Sequence, residues 1–414
     1  MALTQKKSVS GSGKNNLLLI YMQKIIIVNS GSVSKKYALY EGQELLLSAH
    51  FEILPKEFQM HLKKGEAFSK SERISKEDFS RAFDYFIDLL IKTKIIEKEA
   101  DISAVAFRVV APGLTFQKDQ IIDKNYLLKI DEISNNSLIH IKAMRDEMAQ
   151  VIDRLPKTIH IAISDSSFHF TTPEYARRYA VSNKITEEIE LYRYGYHGIS
   201  VSSIVEHLKI ENKLPPRMIV CHLGGGASLT AVLNGKSLEN SMGYTPLEGI
   251  PMSTRCGNID AGAVLAMMDF EDYEVNEMKE ILFYESGLQA VSEVSSDTRD
   301  LIEKMEAGNK KAALALDMYV HSIKKYIGAY VAILGGLDLI VFTATVGERS
   351  YKLREKICQN LEYLGIKLDS DLNKKLNEHE GYINHPGSEV SILIQKTDEM
   401  AEMARRTYKL IENK

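Results

Sequence analysis

The sequence predicts an α/β protein made of two related domains around a central cleft. Short apolar runs that are typical of buried strands alternate along the chain with longer segments of helical periodicity, which is the pattern of α/β proteins. Two of these runs, residues 25–28 and 218–221, each lead into a hairpin rich in glycine and serine. Because the same kind of start recurs far apart in one chain, we interpret the chain as a duplicated α/β domain.

The individual elements follow from these patterns. The predicted strands cover residues 25–28, 104–110, 160–164, 218–221, 339–343 and 390–394. Helical periodicity predicts helices between them, among which are residues 76–91, 138–154, 260–268 and 310–334. The apolar segment 326–346 carries only one charge, Asp338, but two glycines at 335 and 336 interrupt it. We therefore predict a buried helix that ends near Leu334, a turn and a buried strand in place of a membrane span.

Composition excludes several classes of protein. The chain has 414 residues, which is enough for two or three domains, and its net charge of −4 gives no reason to expect nucleic acid or a membrane as a partner. The three cysteines, Cys221, Cys256 and Cys358, are widely spaced, which is typical of the reducing cytoplasm. No cage of Cys and His residues is visible, although Mg²⁺ held by carboxylates and phosphates would leave no such signature.

Residues 1–21 are predicted to be a poorly ordered extension. The apolar stretch 17–28 is interrupted by Gln23 and Lys24, is too short to span a bilayer, and lacks the cleavage site of a signal peptide. The sequence Gly-Ser-Gly-Lys at 11–14 lacks the spacing of a P-loop and follows no strand.

The two glycine hairpins suit a phosphate ligand. Residues 29–34 read Asn-Ser-Gly-Ser-Val-Ser, and residues 222–228 read His-Leu-Gly-Gly-Gly-Ala-Ser. Glycines let the backbone approach a ligand closely, and their N–H groups suit phosphate oxygens. Either hairpin alone is weak evidence, because a glycine-rich hairpin is more often only a turn, but the pair favours a nucleotide held between two domains.

Polar clusters follow several predicted strands, where open α/β sheets bind their ligands. Arg108, Asp165 and the triplet Gly347-Glu348-Arg349 stand at or just after strand ends, while His197 and Arg255 lie in glycine-containing loops. Phosphoryl transfer requires cations that spread the charge of the transferring group and amides that hold the phosphates. The sequence contains both.

At these residues the chain resembles the acetate kinase family, the short-chain carboxylate kinases of the actin, sugar-kinase and chaperone ATPase superfamily. Nine motifs in family order carry the resemblance, at residues 29–37, 107–110, 164–180, 193–200, 222–249, 253–260, 295–300, 341–348 and 397–400. It implies duplicated ribonuclease-H-like (actin-like ATPase) domains. The N-terminal domain would be 22–166, with a C-terminal helix 400–414 returning to it, and 167–399 would form the nucleotide-binding and dimerisation domain.

The resemblance also implies an activity. It is the reversible, Mg²⁺-dependent transfer of a phosphoryl group from ATP to acetate, directly and in line, giving acetyl phosphate and ADP. Mn²⁺ is a possible substitute for Mg²⁺. A cytoplasmic homodimer is implied, with a small carboxylate and a nucleotide as its ligands.

Site residues follow from the same resemblance, motif by motif. The catalytic residues would be Asp165, His197 and Arg255, and the substrate residues would be Arg108, Val110, His140, Tyr196 and Pro246. Nucleotide would contact Lys36, His222, Leu223, Gly224, Gly225, Gly226, Asp297, Thr298, Arg299, Thr345, Val346, Gly347, Glu348 and Arg349. The magnesium site would use Asn29 and Glu399.

Physical chemistry limits the role of Asp165. A carboxylic acid substrate is already ionised at neutral pH, so no proton needs to be removed from it. We therefore expect Asp165 to orient the metal or the attacking carboxylate and not to act as a base. His197 and Arg255 would stabilise the transferring group, and the alternatives are a satisfied core histidine and an ion pair between Arg255 and Asp260.

The chain departs from the family pattern around the substrate and nucleotide. Tyr196 replaces a phenylalanine, Gly225 an asparagine, Thr345 a glycine and Arg349 an asparagine. If the backbone at residue 345 has a positive φ, the β-branched threonine is strained there. The departures leave open a propionate or butyrate kinase, and a nucleotide-binding homologue with weakened catalysis.

Overall fold

The computed structural model describes residues 23–31, 33–54, 57–65, 68–136 and 139–412. The predicted extension at residues 1–21 lies outside them. Within the described residues, no helix combines the length and the apolar character that a membrane crossing requires.

Fourteen strands are formed by the described residues. They are β1 (Lys24–Ser30), β2 (Ser34–Glu41), β3 (Glu44–Leu54), β4 (Glu57–Lys64), β5 (Phe68–Ile74), β6 (Ile102–Val109), β7 (Gln120–Ile121), β8 (Ile159–Ser164), β9 (Arg217–Leu223), β10 (Ala227–Leu233), β11 (Lys236–Asn240), β12 (Leu339–Thr343), β13 (Gly381–Tyr382) and β14 (Ser391–Ile394).

The α-helices of the same ranges connect these strands. They are α1 (Lys76–Ser80), α2 (Ala82–Lys92), α3 (Lys124–Asn136), α4 (Ile139–Arg154), α5 (Glu174–Arg177), α6 (Asn183–Glu188), α7 (Gly198–Ile210), α8 (Ala261–Glu271), α9 (Val275–Tyr284), α10 (Gly287–Ser292), α11 (Thr298–Glu306), α12 (Lys310–Leu334), α13 (Ala344–Arg349), α14 (Tyr351–Cys358), α15 (Ser370–Lys375) and α16 (Glu399–Glu412).

The described residues group into two compact units. The first unit contains the described residues up to Val109, Asp119–Ile163 and those from Met400 onward, and the second contains Val110–Lys118 and Ser164–Glu399. The first unit holds a sheet of eight strands in the order β5-β4-β3-β2-β1-β6-β8-β7. Its core includes Ile25, Ile26 and Ile27 of β1, which are fully buried.

The second unit repeats the central part of this sheet. Its six strands have the order β11-β10-β9-β12-β14-β13. In both sheets the first strand pairs antiparallel with the second, the second pairs antiparallel with the third, and the first pairs in parallel on its other side, with β6 in one unit and with β12 in the other. The predicted duplicated α/β fold is confirmed by this shared order.

The segment with the strongest membrane character folds as predicted. Helix α12 ends at Leu334, Gly335 follows it in the left-handed conformation with φ 67°, and β12 begins at Leu339. Nine residues of α12 are buried, because the helix packs against the second sheet and its neighbouring helices. Glycine costs least at this helix end, since it adopts a positive φ without steric strain.

Two parts of the first unit differ from the sequence-based expectation. The helix predicted at 76–91 is broken at Arg81, whose backbone (φ −106°, ψ 31°) ends α1 before α2 begins. The strands β3, β4 and β5 were not predicted. They form an antiparallel meander with many half-buried or exposed positions, so no long apolar run marks them.

Candidate active site

The glycine loop at 224–226 joins the central strands β9 and β10 of the second unit. His222, at the end of β9, pairs across the sheet with Ser228 of β10 and, in parallel, with Thr343 of β12. The loop closes through a hydrogen bond from the Gly224 N–H to the Gly226 carbonyl at 3.1 Å. The sheet therefore positions this loop beside the C-terminal end of β12.

His197 is held in an unusual backbone conformation at the start of α7. Its φ is 58° and its ψ is 22°, in the left-handed region that non-glycine residues seldom adopt. The backbone N–H of His197 donates to Oδ2 of Asp165 at 2.7 Å, and the next N–H, of Gly198, donates to the Asp165 carbonyl at 2.7 Å. Asp165 is 0 % exposed, so a buried carboxylate fixes the position of His197.

The imidazole of His197 is oriented by two neighbours. Its Nδ1 lies 2.9 Å from Oγ of Ser228, and its ring lies against that of His222 with centroids 4.3 Å apart. When the Ser228 hydroxyl donates to Nδ1, the ring proton is on Nε2, which can then donate to a ligand.

Arg255 and His197 face the same space beside Gly226. A Cβ built on Gly226 would lie 3.2 Å from Nε2 of His197 and 3.9 Å from Nη1 of Arg255. Among the described residues the Arg255 guanidinium makes no ion pair. Its Nη1 donates to the Pro246 carbonyl at 3.4 Å and contacts the Met252 sulfur at 3.6 Å. Burial lowers the pKa of Arg255. A half-buried cation without a carboxylate partner favours an anionic ligand.

The structure describes both Arg255 and Asp260, and the two side chains form no ion pair with each other. The Asp260 side chain instead accepts the N–H of Gly262 at 3.1 Å and caps the N-terminus of α8.

The loop that contains Pro246 is fixed by a polar network. Tyr196 is 1 % exposed, and its hydroxyl donates to the Tyr244 carbonyl at 2.7 Å. Nε of Arg193 donates to Glu248 at 3.0 Å, and the Tyr179 hydroxyl donates to the same carboxylate. Tyr196 thus holds the Pro246 loop from within, and its hydroxyl has a partner in the protein. Val110 packs against the same hydrophobic core as Tyr196.

A cavity of about 220 Å³ gathers three of the segments predicted to bind nucleotide. Its lining comprises Gly224, Gly225, Ser253, Ser296, Asp297, Thr298, Arg299, Thr345, Val346, Arg349 and Ser350. Asp297 caps α11 by accepting the Arg299 N–H at 2.8 Å, and the Arg299 side chain forms an ion pair with the same carboxylate. The glycine loop and α13 both contribute to this lining.

Several predicted nucleotide residues do not line this cavity. Leu223 is buried in the core, and Gly347 packs so closely on the sheet that a Cβ would lie 3.3 Å from the Phe342 carbonyl carbon. Burial raises the pKa of Glu348, which lies on the same helix. Gly226 faces His197 and Arg255 instead.

A positive φ occurs at the start of α13, one residue before Thr345. Ala344 has φ 64°, whereas Thr345 is not among the residues with positive φ. The strain expected for a β-branched side chain therefore does not arise, since Thr345 sits within the helix.

Glu399 begins α16 and is oriented from α7. Its carboxylate accepts a hydrogen bond from the Ser200 hydroxyl, and the Asp398 N–H donates to Oγ of Ser203 at 3.3 Å. Within the described ranges, no group of three or more His, Cys, Asp or Glu residues is arranged to hold a metal ion.

The remaining predicted residues belong to the first unit. Asn29 of β1 pairs in register with Lys36 of β2, so both stand on the first glycine hairpin. Arg108 is half-buried between the buried residues Phe107 and Val109 of β6. His140 is the second residue of α4, and only its backbone is described.

Two residues that position parts of the site, Ser228 and Arg354, were not predicted from the sequence. Ser228 was recognised only as part of a glycine motif, although it orients His197. Arg354 of α14 is fully buried and donates to the Gly347 carbonyl at 2.7 Å and the Glu348 carbonyl at 2.9 Å, which fixes the end of α13. No sequence signal distinguishes this arginine from an exposed helical one.

Comparison with known proteins shows what this chain is similar to. The sequence profile described as the Acetokinase family matches residues 24–405. The acetate kinase of Dictyoglomus turgidum is 37% identical over 399 residues, which cover 94% of this chain and 98% of that protein. The crystal structure of Porphyromonas gingivalis acetate kinase superposes with a TM-score of 0.81 at 32% identity, over 94% of this chain and 100% of that one. A propionate kinase from Francisella tularensis gives 0.83 at 30% identity, over 93% of this chain and 98% of that one.

These neighbours extend over both sheets, whose common strand order is that of the actin-like ATPase fold. A profile match over nearly the whole chain, together with relatives of this identity and coverage, shows that the chain belongs to the acetokinase family.

Proposed function

We propose that this protein is an acetate kinase, which transfers the terminal phosphoryl group of ATP to acetate and forms acetyl phosphate and ADP reversibly. The observation that carries this proposal is the space beside Gly226, which both His197 Nε2 and Arg255 Nη1 face. These two donors suit the oxygens of a phosphoryl group in transfer. Arg255 also brings a positive charge that no carboxylate among the described residues neutralises.

The reaction needs no general base. Acetate is ionised at neutral pH and is itself the nucleophile, so an oxygen of its carboxylate forms the new O–P bond while the bond to ADP breaks. In this proposal Arg108 binds the acetate carboxylate, and Asp165 holds His197 in place through the backbone N–H. Val110 and Pro246 are proposed to form walls of the acetate pocket, and His140 is proposed as a further substrate-binding residue.

The nucleotide is proposed to occupy the cavity between the glycine loop and α13. The N–H groups of the loop suit its phosphates, and Asp297, Arg299, Thr345 and Val346 line the space that remains for the nucleoside. Lys36, which stands on the exposed side of the first hairpin, is proposed to contact the phosphates.

Magnesium is proposed to bind at Asn29 and Glu399. Both offer hard oxygen ligands, and the Glu399 carboxylate is already oriented by Ser200. Because Mg²⁺ commonly takes one or two carboxylates and completes its shell with phosphates and water, the lack of a larger acidic cluster among the described residues fits this ion. When bound, the ion neutralises charge on the phosphates.

A second copy of the chain is the proposed partner, docked on α8. None of the residues in α8 is buried, although Leu265 is 63% exposed and Phe270 is 84% exposed. Apolar side chains presented together on one helix are typical of a subunit interface. We also propose a cytoplasmic location, since Cys221, Cys256 and Cys358 are all free thiols.

The test is acyl phosphate formation by the purified chain with ATP and Mg²⁺, measured on acetate, propionate and butyrate by trapping with hydroxylamine. We expect the highest kcat/KM on acetate. A higher value on propionate or butyrate would reassign the substrate, and no acyl phosphate from any of the three would refute the proposal.

Arg255→Ala tests the site itself. We expect kcat to fall by about 10²–10³-fold, the cost of removing one preorganised donor, while the Kd for ATP changes little. The matched control is Arg73→Ala, whose side chain is 80% exposed on β5 and pairs with Glu57. Turnover close to wild type in Arg255→Ala would show that the site is misassigned.

A further inference from the structure

The proposed nucleotide cavity contains two arginines with different surroundings. The Arg299 guanidinium is bound by the Asp297 carboxylate, with Nε 3.0 Å from Oδ1 and Nη2 2.5 Å from Oδ2. Arg349 lines the same cavity but forms no hydrogen bond or ion pair with any residue that the structure describes. Since arginine stays protonated, the cavity offers one guanidinium whose donors are available to a ligand.

Arg349 stands farther from the phosphate loop than the start of α13 does. Helix α13 begins at Ala344, whose Cβ would lie 3.5 Å from a Cβ built on Gly224. A helix rises 1.5 Å per residue, so Arg349 lies about 7.5 Å farther along the wall. If the phosphates occupy the glycine loop, as the proposed function requires, Arg349 lines the part of the cavity that remains for the nucleoside.

The chemistry of a guanidinium distinguishes between purines. It carries N–H donors in a planar fork and no acceptor. Guanine and hypoxanthine present O6 and N7, two adjacent acceptors that match this fork, whereas adenine presents N7 beside an amino group that is itself a donor. A donor-only group at the base therefore favours a 6-oxopurine.

We propose that Arg349 is a specificity-determining residue that binds the O6/N7 edge of a 6-oxopurine, so that GTP and ITP serve as phosphoryl donors at least as well as ATP. This inference rests on the proposed function and adds the class of nucleotide to it. Exposure of Arg349 leaves the side chain free to reach a base edge, and its neighbours Val346 and Ser350 line the same cavity.

The test compares kcat/KM for GTP, ITP and ATP at saturating acetate in the wild type and in Arg349→Met. We expect the GTP/ATP and ITP/ATP ratios to fall by on the order of 10- to 100-fold in the variant, the range of one bidentate guanidinium contact with a purine. ITP lacks the guanine amino group. If the GTP/ATP and ITP/ATP ratios fall by the same factor, the lost contact is therefore with O6 and N7, which both bases share. Lys352→Met is the matched control, because this cation lies on α14, outside the cavity, and pairs with Glu306.

Three results would overturn the inference. In the first, GTP and ITP are less than about a tenth as efficient as ATP in the wild type. In the second, the ratios are unchanged in Arg349→Met. In the third, the variant loses efficiency equally with all three donors, which would indicate a contact with ribose or phosphate. If no triphosphate supports turnover, the proposed function fails separately, and calorimetric titration with GTP, ITP and ATP then measures the same ratios as binding constants.

Discussion

The backbone N–H of His197 donates to the buried Asp165 carboxylate at 2.7 Å, and this bond stabilises His197 in a left-handed conformation. The Asp165 carbonyl accepts the following N–H, of Gly198, so one residue binds two consecutive N–H groups where the chain enters α7. Asp165 therefore has a geometric role that is separate from its negative charge. A substitution that keeps the acceptor but removes the charge distinguishes the two.

Asp165→Asn is that substitution. The amide oxygen can still accept the His197 N–H, so we expect native circular dichroism and a melting temperature near that of the wild type. Turnover should nevertheless fall by about 100-fold or more, because Asp165 is expected to orient the metal ion and a neutral amide binds a hard cation less well than a carboxylate does. Asp165→Ala should also lose the hydrogen bond and about 1–2 kcal/mol of unfolding free energy. Wild-type turnover in Asp165→Asn would show that Asp165 acts through geometry alone.

Two alanine substitutions in the glycine loop form a matched pair. A Cβ at Gly225 would lie 3.8 Å from Oγ of Ser253, an ordinary contact, whereas a Cβ at Gly226 would lie 3.2 Å from Nε2 of His197. Gly226→Ala should therefore lower kcat by at least tenfold by displacing the imidazole, whereas Gly225→Ala should change kcat less than threefold and act on the KM for ATP, since Gly225 lines the proposed nucleotide cavity. Steady-state kinetics of both variants measure the difference. Equal effects would mean that the space beside Gly226 is not the reaction site.

The sequence predicted the duplicated fold because buried strands leave a clear apolar signal. The strands that begin near Ile25 and Met218 were found for this reason. Strands β3 to β5 left no such signal, since many of their side chains face solvent and their polar residues resemble loops. Tertiary packing defines them, and a single sequence does not record it.

Site geometry was predictable only in part. The motifs named Asp165, His197 and Arg255, but only the structure shows that Nε2 and Nη1 face one space. A backbone dihedral cannot be read from a motif, so the sequence left open whether φ is positive at Thr345; the structure has the positive φ at Ala344. The burial of Arg354 was equally invisible, because it depends on the packing of α14 against α13 and α15.

Arg354→Met tests how this buried arginine supports α13. The guanidinium donates to the carbonyls of Gly347 and Glu348 and to Oδ1 of Asn373 at 2.7 Å. Burial lowers its pKa to about 10, so it remains charged at neutral pH. Methionine leaves these acceptors unsatisfied, and we expect a loss of about 3 kcal/mol in urea unfolding and a higher KM for the nucleotide. Lys356→Met, on the exposed side of the same helix, is the control. An unchanged unfolding free energy would contradict the assignment.

The acid stability of the second unit should depend on His169. Nε2 of this buried histidine lies 3.0 Å from the Tyr196 carbonyl and Nδ1 lies 2.8 Å from Oγ of Ser237, so the neutral ring is fully hydrogen-bonded. Burial lowers the pKa of His169 from 6.5 to about 4. The unfolded chain therefore binds a proton between these values and the folded chain does not, which makes the stabilising contribution complete above pH 6.5 and progressively lost toward pH 4.

His169→Gln removes this proton linkage while keeping polar atoms near both partners. The loss of unfolding free energy between pH 7 and pH 5 should be about 2 kcal/mol smaller in the variant than in the wild type, as follows from the two pKa values. Urea unfolding at both pH values gives the difference directly. The variant is less stable at pH 7, because glutamine packs less well than the ring, but the comparison between pH values cancels that cost. A pH dependence equal to that of the wild type would mean that His169 is protonated in the folded state, and the hydrogen bond to Tyr196 would then be made by a charged ring.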